Sequence, residues 1–337
     1  MEKIAFGKTG EMVSQYSLGC MLMGTATSKP DSFEMLDRFT AAGGNFLDTA
    51  NCYAWWVDPH SAGDDSETLL GEWMQARGNR SQIFLATKAG ARLTNARAVR
   101  DDRGEIIWER VPQTYEFLAP ETIRGAIEDS LRRLQTDTID LYYAHIDDRR
   151  TPLEETLGAL NELVVEGKVR HIACSNLRTW RLERARSISA ANGWAPYVAV
   201  QQQYSYLRPK PGADFGIGVH ADEELLDYLR NDDGLTLVAY SPLLKGIYDD
   251  AQKRANTYIW PEFNSEDACA RLAVLEKLAQ ELNVSNSQLV LAWLLHHQPR
   301  VIPIIGARTL EQYENCMAAL EIQLTDENMS MLSSASG

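Results

Sequence analysis

This sequence predicts an α/β fold closed as a TIM (β/α)8 barrel, and three observations support it. Eight short apolar runs alternate with longer stretches whose apolar residues recur at helical spacing, and eight parallel strands close such a barrel. The first run leads into Gly19-Cys20-Met21-Leu22-Met23-Gly24, which lacks the glycine spacing expected there in a doubly wound dinucleotide-binding sheet. The long polar connections all follow strand runs, which in a barrel puts them on the C-terminal face, where active sites are built. The 337 residues could make two domains, but barrels routinely exceed about 250 residues as one unit, so 1–337 reads as a single domain.

The chain opens with Ile4-Ala5-Phe6, Lys8-Thr9-Gly10 and Met12-Val13-Ser14, a small N-terminal β-hairpin with a Thr-Gly turn, placed to cap the barrel floor. The barrel strands follow at 16–19, 45–49, 83–87, 140–144, 169–174, 198–202, 235–240 and 301–305. Between the first two, Phe33, Leu36, Phe39 and Thr40 keep helical spacing, as do Leu131 and Leu134 further on. Pro120-Glu121-Thr122 opens one helix, and Thr151-Pro152 opens another over 154–166, with Leu157, Leu160, Leu163 and Val164 on one face. A helix over 288–297 carries His296 and His297 at its exposed end. Three connections exceed what a minimal barrel needs: 52–65, 89–118 and 246–263.

Composition excludes several classes. The 33 Lys+Arg against 47 Asp+Glu give a net charge of −14, which argues against a broad nucleic-acid or anionic-membrane surface. The N-terminus has no apolar core of a secretory signal, and no apolar run approaches the ~20 residues of a membrane helix. Five scattered cysteines, none spaced C-x-x-C, read as reduced thiols of a cytoplasmic protein.

Polar residues stand at successive strand ends: Asp48 with Tyr53 close behind, Lys88, His145, Ser175-Asn176, Gln201 and Tyr240-Ser241. A barrel brings such ends to one pocket. A tyrosine is a poor acid near neutral pH, and an ammonium beside it stabilises the phenolate. Lys88 can supply that charge, Asp48 can hold Lys88 charged, and His145 can donate a hydrogen bond to a substrate oxygen. Such a group can protonate a carbonyl oxygen while hydride arrives at the carbon.

The chain resembles the aldo-keto reductases nearly end to end. The resemblance is carried by Asn45-Phe46-Leu47-Asp48-Thr49-Ala50 with Tyr53, Ser66-Glu67-Thr68-Leu69-Leu70-Gly71, Ala86-Thr87-Lys88 and Asp140-Leu141-Tyr142-Tyr143-Ala144-His145. It continues in Ile172-Ala173-Cys174-Ser175-Asn176, Ala239-Tyr240-Ser241-Pro242-Leu243 and Pro303-Ile304-Ile305-Gly306-Ala307-Arg308, then Gln312 and Asn315. It implies an NADPH-dependent oxidoreductase that reduces an aldehyde or ketone, or runs in reverse, with NADH as a second cofactor and no metal. It implies a tetrad of Asp48, Tyr53, Lys88 and His145, with Tyr53 as general acid/base. Ser175, Asn176 and Gln201 would hold the nicotinamide carboxamide, and Tyr240 would stack on the ring. Ser241, Leu243, Lys245 and Gly246 would cover the pyrophosphate, and Gly306, Arg308, Gln312 and Asn315 the adenosine end. Arg308 suits a 2′-phosphate by its bidentate geometry.

Two departures shape these expectations. Ile304-Ile305 stands where many relatives have Lys-Ser, so NADPH preference rests on Arg308, helped by Lys245. The chain ends soon after Asn315, while loop 89–118 is long, which looks more like the bacterial and potassium-channel-β-like branches. Trp55 and Trp56, with Trp260, are expected to wall the substrate pocket, with packing against a neighbouring loop as the alternative for one of the first two. Three other readings are open: a slow NADP-binding regulatory protein, a Schiff-base lyase using Lys88, and a metal site at His145, Asp147 and Asp148. The substrate partner is a small carbonyl compound or alcohol, and the oligomeric state is open.

Overall fold

A computed structural model describes residues 1–58 and 61–336. The chain begins with β1 (Lys3–Ala5), β2 (Met12–Ser14) and β3 (Ser17–Gly19), then α1 (Lys29–Ala41), β4 (Phe46–Asp48), α2 (Asp65–Arg77), β5 (Phe84–Ala89) and α3 (Pro120–Leu134). It continues with β6 (Ile139–Ala144), α4 (Leu153–Val165), β7 (Val169–Ser175), α5 (Thr179–Asn192), β8 (Tyr197–Gln203), α6 (Glu223–Arg230) and β9 (Thr236–Tyr240). The last part holds α7 (Ala251–Asn256), α8 (Trp260–Phe263), α9 (Glu266–Leu282), α10 (Asn286–Leu295), β10 (Val301–Ile305), α11 (Leu310–Ala318) and α12 (Asp326–Ser334). Strands β3 to β10 close into one parallel barrel, with β10 pairing both β9 and β3. All eight predicted strand runs are present, with ends displaced by a residue or two.

Side-chain alternation along the strands builds the site. Phe46, Ala86, Tyr143, Ala173, Ala199 and Val238 belong to one buried apolar cluster inside the barrel. Two residues further along each of these strands or its immediate exit stand Asp48, Lys88, His145, Ser175, Gln201 and Tyr240. The period of two therefore points all six toward the same end of the barrel. The opposite-parity residues, such as Leu47, Leu85, Tyr142 and Val200, pack outward in the layer shared with the helices.

Hairpin β1–β2 closes the other end. Its Phe6 ring meets Phe46 at 5.8 Å and Phe84 at 5.2 Å between centroids, a buried aromatic plug beneath the interior cluster. The Thr-Gly turn lies within a longer connection, where the Thr9 hydroxyl donates to the Phe6 carbonyl at 2.6 Å.

Several local expectations change. Thr151 does not cap the helix after it: its hydroxyl donates to Asp148 Oδ2, and Pro152 takes the N-cap position of α4. Connection 246–263 contains α7 and α8. Connection 89–118 carries the bridges Leu93↔Tyr115 and Arg100↔Ile106, and Val99 and Val111 form a small core with Trp55. His297 is buried; it shares a 2.8 Å hydrogen bond with the Tyr204 hydroxyl and lies 3.0 Å from the Pro299 carbonyl.

Candidate active site

Lys88, at the end of β5, is fully buried with a charge, so its ammonium must be satisfied. It has three N–H donors. They go to Asp48 Oδ1 at 2.5 Å, the Thr49 carbonyl at 2.7 Å and the Tyr53 hydroxyl oxygen at 3.0 Å. The second Asp48 oxygen accepts from Gln201 Nε2 at 2.8 Å. The four groups therefore form one chain, Gln201–Asp48–Lys88–Tyr53, drawn from three strands and a loop. Gln201 thus bears on the Asp48–Lys88 pair, a role the sequence did not suggest for it.

The direction of the tyrosine shift differs from expectation. Burial pushes the Tyr53 phenol well above its ordinary value, and the negative charge of Asp48 adds to this. Asp48 compensates the Lys88 charge, so desolvation prevails and Tyr53 is held as the neutral, proton-bearing phenol. His145 stands edge-on to Tyr53, with ring centroids 5.8 Å apart. Burial, then the Lys88 charge, pulls its imidazole well below the ordinary histidine value, so it is neutral. Its backbone N–H donates to the Ala89 carbonyl at 2.9 Å, and its carbonyl accepts from Asn176 Nδ2 at 3.1 Å.

Asn176 adopts a left-handed backbone with φ 61°. Its Oδ1 accepts from the Val219 N–H at 3.1 Å and the Tyr240 hydroxyl at 2.9 Å. Ser175 donates to the Gln201 carbonyl at 2.8 Å. Ser175, Asn176, Gln201 and Tyr240 thus meet beside the tetrad. A cleft of about 290 Å³ opens beside them, with Tyr115, Phe117, Ile146, Asn176, Arg178 and Val219 on its walls.

At the far side, Leu244, Lys245 and Gly246 have φ of 45°, 62° and 80°. Within this turn the Leu244 and Gly246 N–H groups donate to the Ser241 and Leu243 carbonyls at 3.0 and 2.7 Å. The Lys245 ammonium donates to the Tyr258 hydroxyl and stacks on its ring. Arg308 is exposed and enters no ion pair among the described residues, and its backbone N–H donates to Gln312 Oε1 at 2.9 Å. Asn315 accepts from Gln288 Nε2 at 3.0 Å. Ser241 and Leu243 follow the end of β9, and Gly306 follows the end of β10.

The tryptophans separate. Trp55 is 4% exposed and packs on Val99, Val111 and Trp108, joining the loop after β4 to the loop after β5. It ties the two loops together, the packing alternative expected for one of the adjacent tryptophans. Trp56 stays half-buried beside it, and Trp260 lies in α8 beneath the Arg254 guanidinium. The Arg-rich loop is held by its own contacts: Arg92 bonds the Asn51 carbonyl and Asp64, and Arg100 bonds the Gly104 and Trp55 carbonyls. Asp147 pairs with Arg149 and Arg181, while Asp148 ties the Leu118, Arg150 and Thr151 N–H groups. Both carboxylates are thus spent on structure.

Three supporting residues had no role in the sequence reading. Glu67 is fully buried, accepts from the Thr87 hydroxyl at 2.5 Å and pairs with Arg133 at 2.7 Å, which braces the strand just before Lys88. Gly71, in the same run, lets α2 meet α3, since a Cβ there would lie 2.2 Å from the Arg133 carbonyl oxygen. Glu116 Oε1 accepts from Asn51 Nδ2 and the Gly90 N–H, both at 2.8 Å, fastening the long loop to the segment that carries Tyr53.

Comparison with known proteins agrees with this geometry. The aldo/keto reductase family model matches residues 16–336. An uncharacterized oxidoreductase of Bacillus subtilis, YrpG, is 33% identical, covering 98% of this chain and 95% of its own length. The norsolorinic acid reductase stcV of Emericella nidulans is 32% identical over 95% of this chain and 77% of its own. An aryl-alcohol dehydrogenase (NADP(+)) of Phanerodontia chrysosporium is 29% identical over 96% of this chain and 78% of its own. Among solved structures, the thermostable aldo-keto reductase Tm1743, in complex with the inhibitor epalrestat, superposes with a TM-score of 0.72, 28% identity and 99% coverage of both chains. The chain belongs to the aldo/keto reductase family of carbonyl-reducing oxidoreductases.

Proposed function

We propose that this protein, acting as one barrel domain, reduces an aromatic aldehyde or ketone with NADPH, or oxidises the corresponding alcohol. The observation that carries the reading is the buried Lys88 ammonium with all three donors spent, one of them on Tyr53. In this reading Tyr53 is the acid: it gives its proton to the carbonyl oxygen as that oxygen gains charge. The Lys88 N–H, 3.0 Å away, then stabilises the phenolate left behind, and Asp48 holds Lys88 in place. His145 gives a hydrogen bond to the same oxygen.

The residues fit a phosphorylated nicotinamide cofactor. The Lys245 ammonium beside Gly246 suits a pyrophosphate, and Arg308, exposed and in no ion pair among the described residues, suits a 2′-phosphate in a chain of net charge −14. Gly306, Gln312 and Asn315 would complete the adenosine end, with Ser241 and Leu243 over the pyrophosphate. Ser175, Asn176, Gln201 and Tyr240 would hold the nicotinamide next to Tyr53. When bound, the cofactor supplies hydride to the carbonyl carbon, and NADH would serve less well. Tyr115 and Phe117 in the cleft favour an aromatic substrate, as does the name of the aryl-alcohol dehydrogenase relative. Trp55, Trp56 and Trp260 are further aromatic candidates for its wall.

The test is steady-state cofactor oxidation over a panel of aromatic and aliphatic aldehydes and ketones, with NADPH and NADH in parallel. The expected outcome is turnover of aryl carbonyls at lower KM with NADPH than with NADH. Tight NADPH binding without turnover across the panel would overturn the reading in favour of a regulatory protein.

A further inference from the structure

Cys52 sits one residue before Tyr53, and its Sγ lies 3.7 Å from His145 Nδ1. Nδ1 has no other hydrogen-bond partner among the described residues. A neutral imidazole carries one proton, and the bond made by one nitrogen decides which nitrogen holds it. We propose that Cys52 is a positioning residue: its thiol donates to Nδ1 of His145 and so keeps the imidazole proton on Nε2, free to be given to the substrate oxygen. This rests on the reading of His145 as a hydrogen-bond donor to the substrate.

The direction of the bond follows from both partners being neutral. Burial pushes the Cys52 thiol up to about 12, and burial with the Lys88 charge pulls the imidazole well below its ordinary value. A ring nitrogen is a good acceptor and a thiol sulfur a weak one, so S–H to N is the favoured arrangement. The opposite arrangement would place the proton on Nδ1 and leave Nε2 able only to accept. It would then face the lone pairs of a carbonyl oxygen with its own.

The contact is held from both sides. Cys52 is 4% exposed, and its backbone is covered by Gly63, where an added Cβ would lie 2.7 Å from the Cys52 carbonyl carbon. Gly63 has φ +94°, a conformation that suits glycine and lets the loop close this tightly. On the His145 side, the backbone from which the ring projects is fixed by its N–H donating to the Ala89 carbonyl and its carbonyl accepting from Asn176 Nδ2.

The test uses the full chain with ¹⁵N-labelled histidine, whose ring nitrogen shifts report the tautomer directly. There are 6 histidines, and His145→Asn assigns the signal. The wild type is expected to carry the proton on Nε2, Cys52→Ala to show a mixture, and Cys52→Ser to restore the wild-type pattern. In parallel, Cys52→Ala should lose about tenfold in kcat with the NADPH Kd unchanged, since a wrong tautomer weakens catalysis without disturbing geometry, and Cys52→Ser should recover most of it. A proton on Nδ1 in the wild type, or an unmixed Nε2 tautomer in Cys52→Ala, would overturn the proposal. If Cys52→Ala does not fold, the wild-type tautomer and Cys52→Ser still decide it. The reading of His145 stands or falls separately, on whether His145→Asn loses turnover.

Discussion

The two ends of the candidate site are built in opposite ways. Beside Tyr53 the two opposite charges are buried and already bonded: Lys88 spends all its donors, and both Asp48 oxygens are taken. Around Arg308 the charge is exposed and in no ion pair among the described residues, the backbone at Leu244–Gly246 is left-handed, and Lys245 rests on a tyrosine ring. The difference separates two tasks. Stabilising charge as it develops needs dipoles fixed beforehand in a dry site. Capturing an anion from solution needs accessible charge whose partner is the ligand itself. Substitutions at the first end should therefore change kcat, and substitutions at the second should change Kd.

The largest effect that sharpens this contrast is Tyr53→Phe. It should lower kcat by about 10²–10⁴-fold, the span of a lost general acid, with NADPH binding by fluorescence quenching retained. Wild-type-like turnover would break the contrast at its strongest point. Next comes Lys88→Met, which leaves Asp48 buried without its counter-charge and should cost about 3–5 kcal/mol of stability in denaturant unfolding. Adding Asp48→Asn should recover part of that loss, because the stranded charge is then gone.

Arg308→Ala comes third. It should raise the NADPH Kd by about tenfold to a hundredfold, as expected for losing a charge-assisted contact to phosphate, while NADH binding stays within about twofold. The effect should shrink at high salt, since the site is exposed. An equal loss for both cofactors would remove Arg308 from the phosphate.

The smallest effect is on pH. His145 has a lowered value in the folded state, so below the ordinary histidine value of about 6.5 the unfolded chain binds more protons than the folded one. Stability from this group is full above that pH and is lost as pH falls, by up to about 1.4 kcal/mol per pH unit. Thermal melts from pH 8 to pH 5 should show a decline that His145→Asn reduces. Burial lowers His220 to about 4 and also lowers His171 and His297, so part of the decline should remain.

The barrel and the convergence of Asp48, Lys88 and His145 on one end of it were legible in the chain because both are carried by local patterns. Alternation along a strand relates Phe46 to Asp48, Ala86 to Lys88 and Tyr143 to His145, so a residue two past an interior position reads as a site residue without coordinates. The supports were not legible in this way. Glu67 meets Thr87 and Arg133 across two elements, Glu116 reaches back to Asn51 over 65 positions, and Gln201 reaches Asp48 over 153. Packing against a neighbouring loop was expected for one of Trp55 and Trp56, but that Trp55 takes it, and that Val99 and Val111 are its partners, only the folded chain shows. His297 reads as a helix end and is buried by Tyr204 and Trp293.

By itself, then, the sequence determined the repeating strand–helix order, the parity that turns Asp48, Lys88, His145, Ser175, Gln201 and Tyr240 to one end of the barrel, and the acidic charge that makes Arg308 conspicuous. Closure of the barrel decided the rest. It set which groups are dry enough for Tyr53 to remain a phenol and His145 to remain neutral, which charges are compensated, and which thiol stands against Nδ1. The physical reason is that periodicity is a property of neighbours along the chain. Desolvation and hydrogen-bond partnership are properties of neighbours in space, and these exist only once β10 has closed on β3.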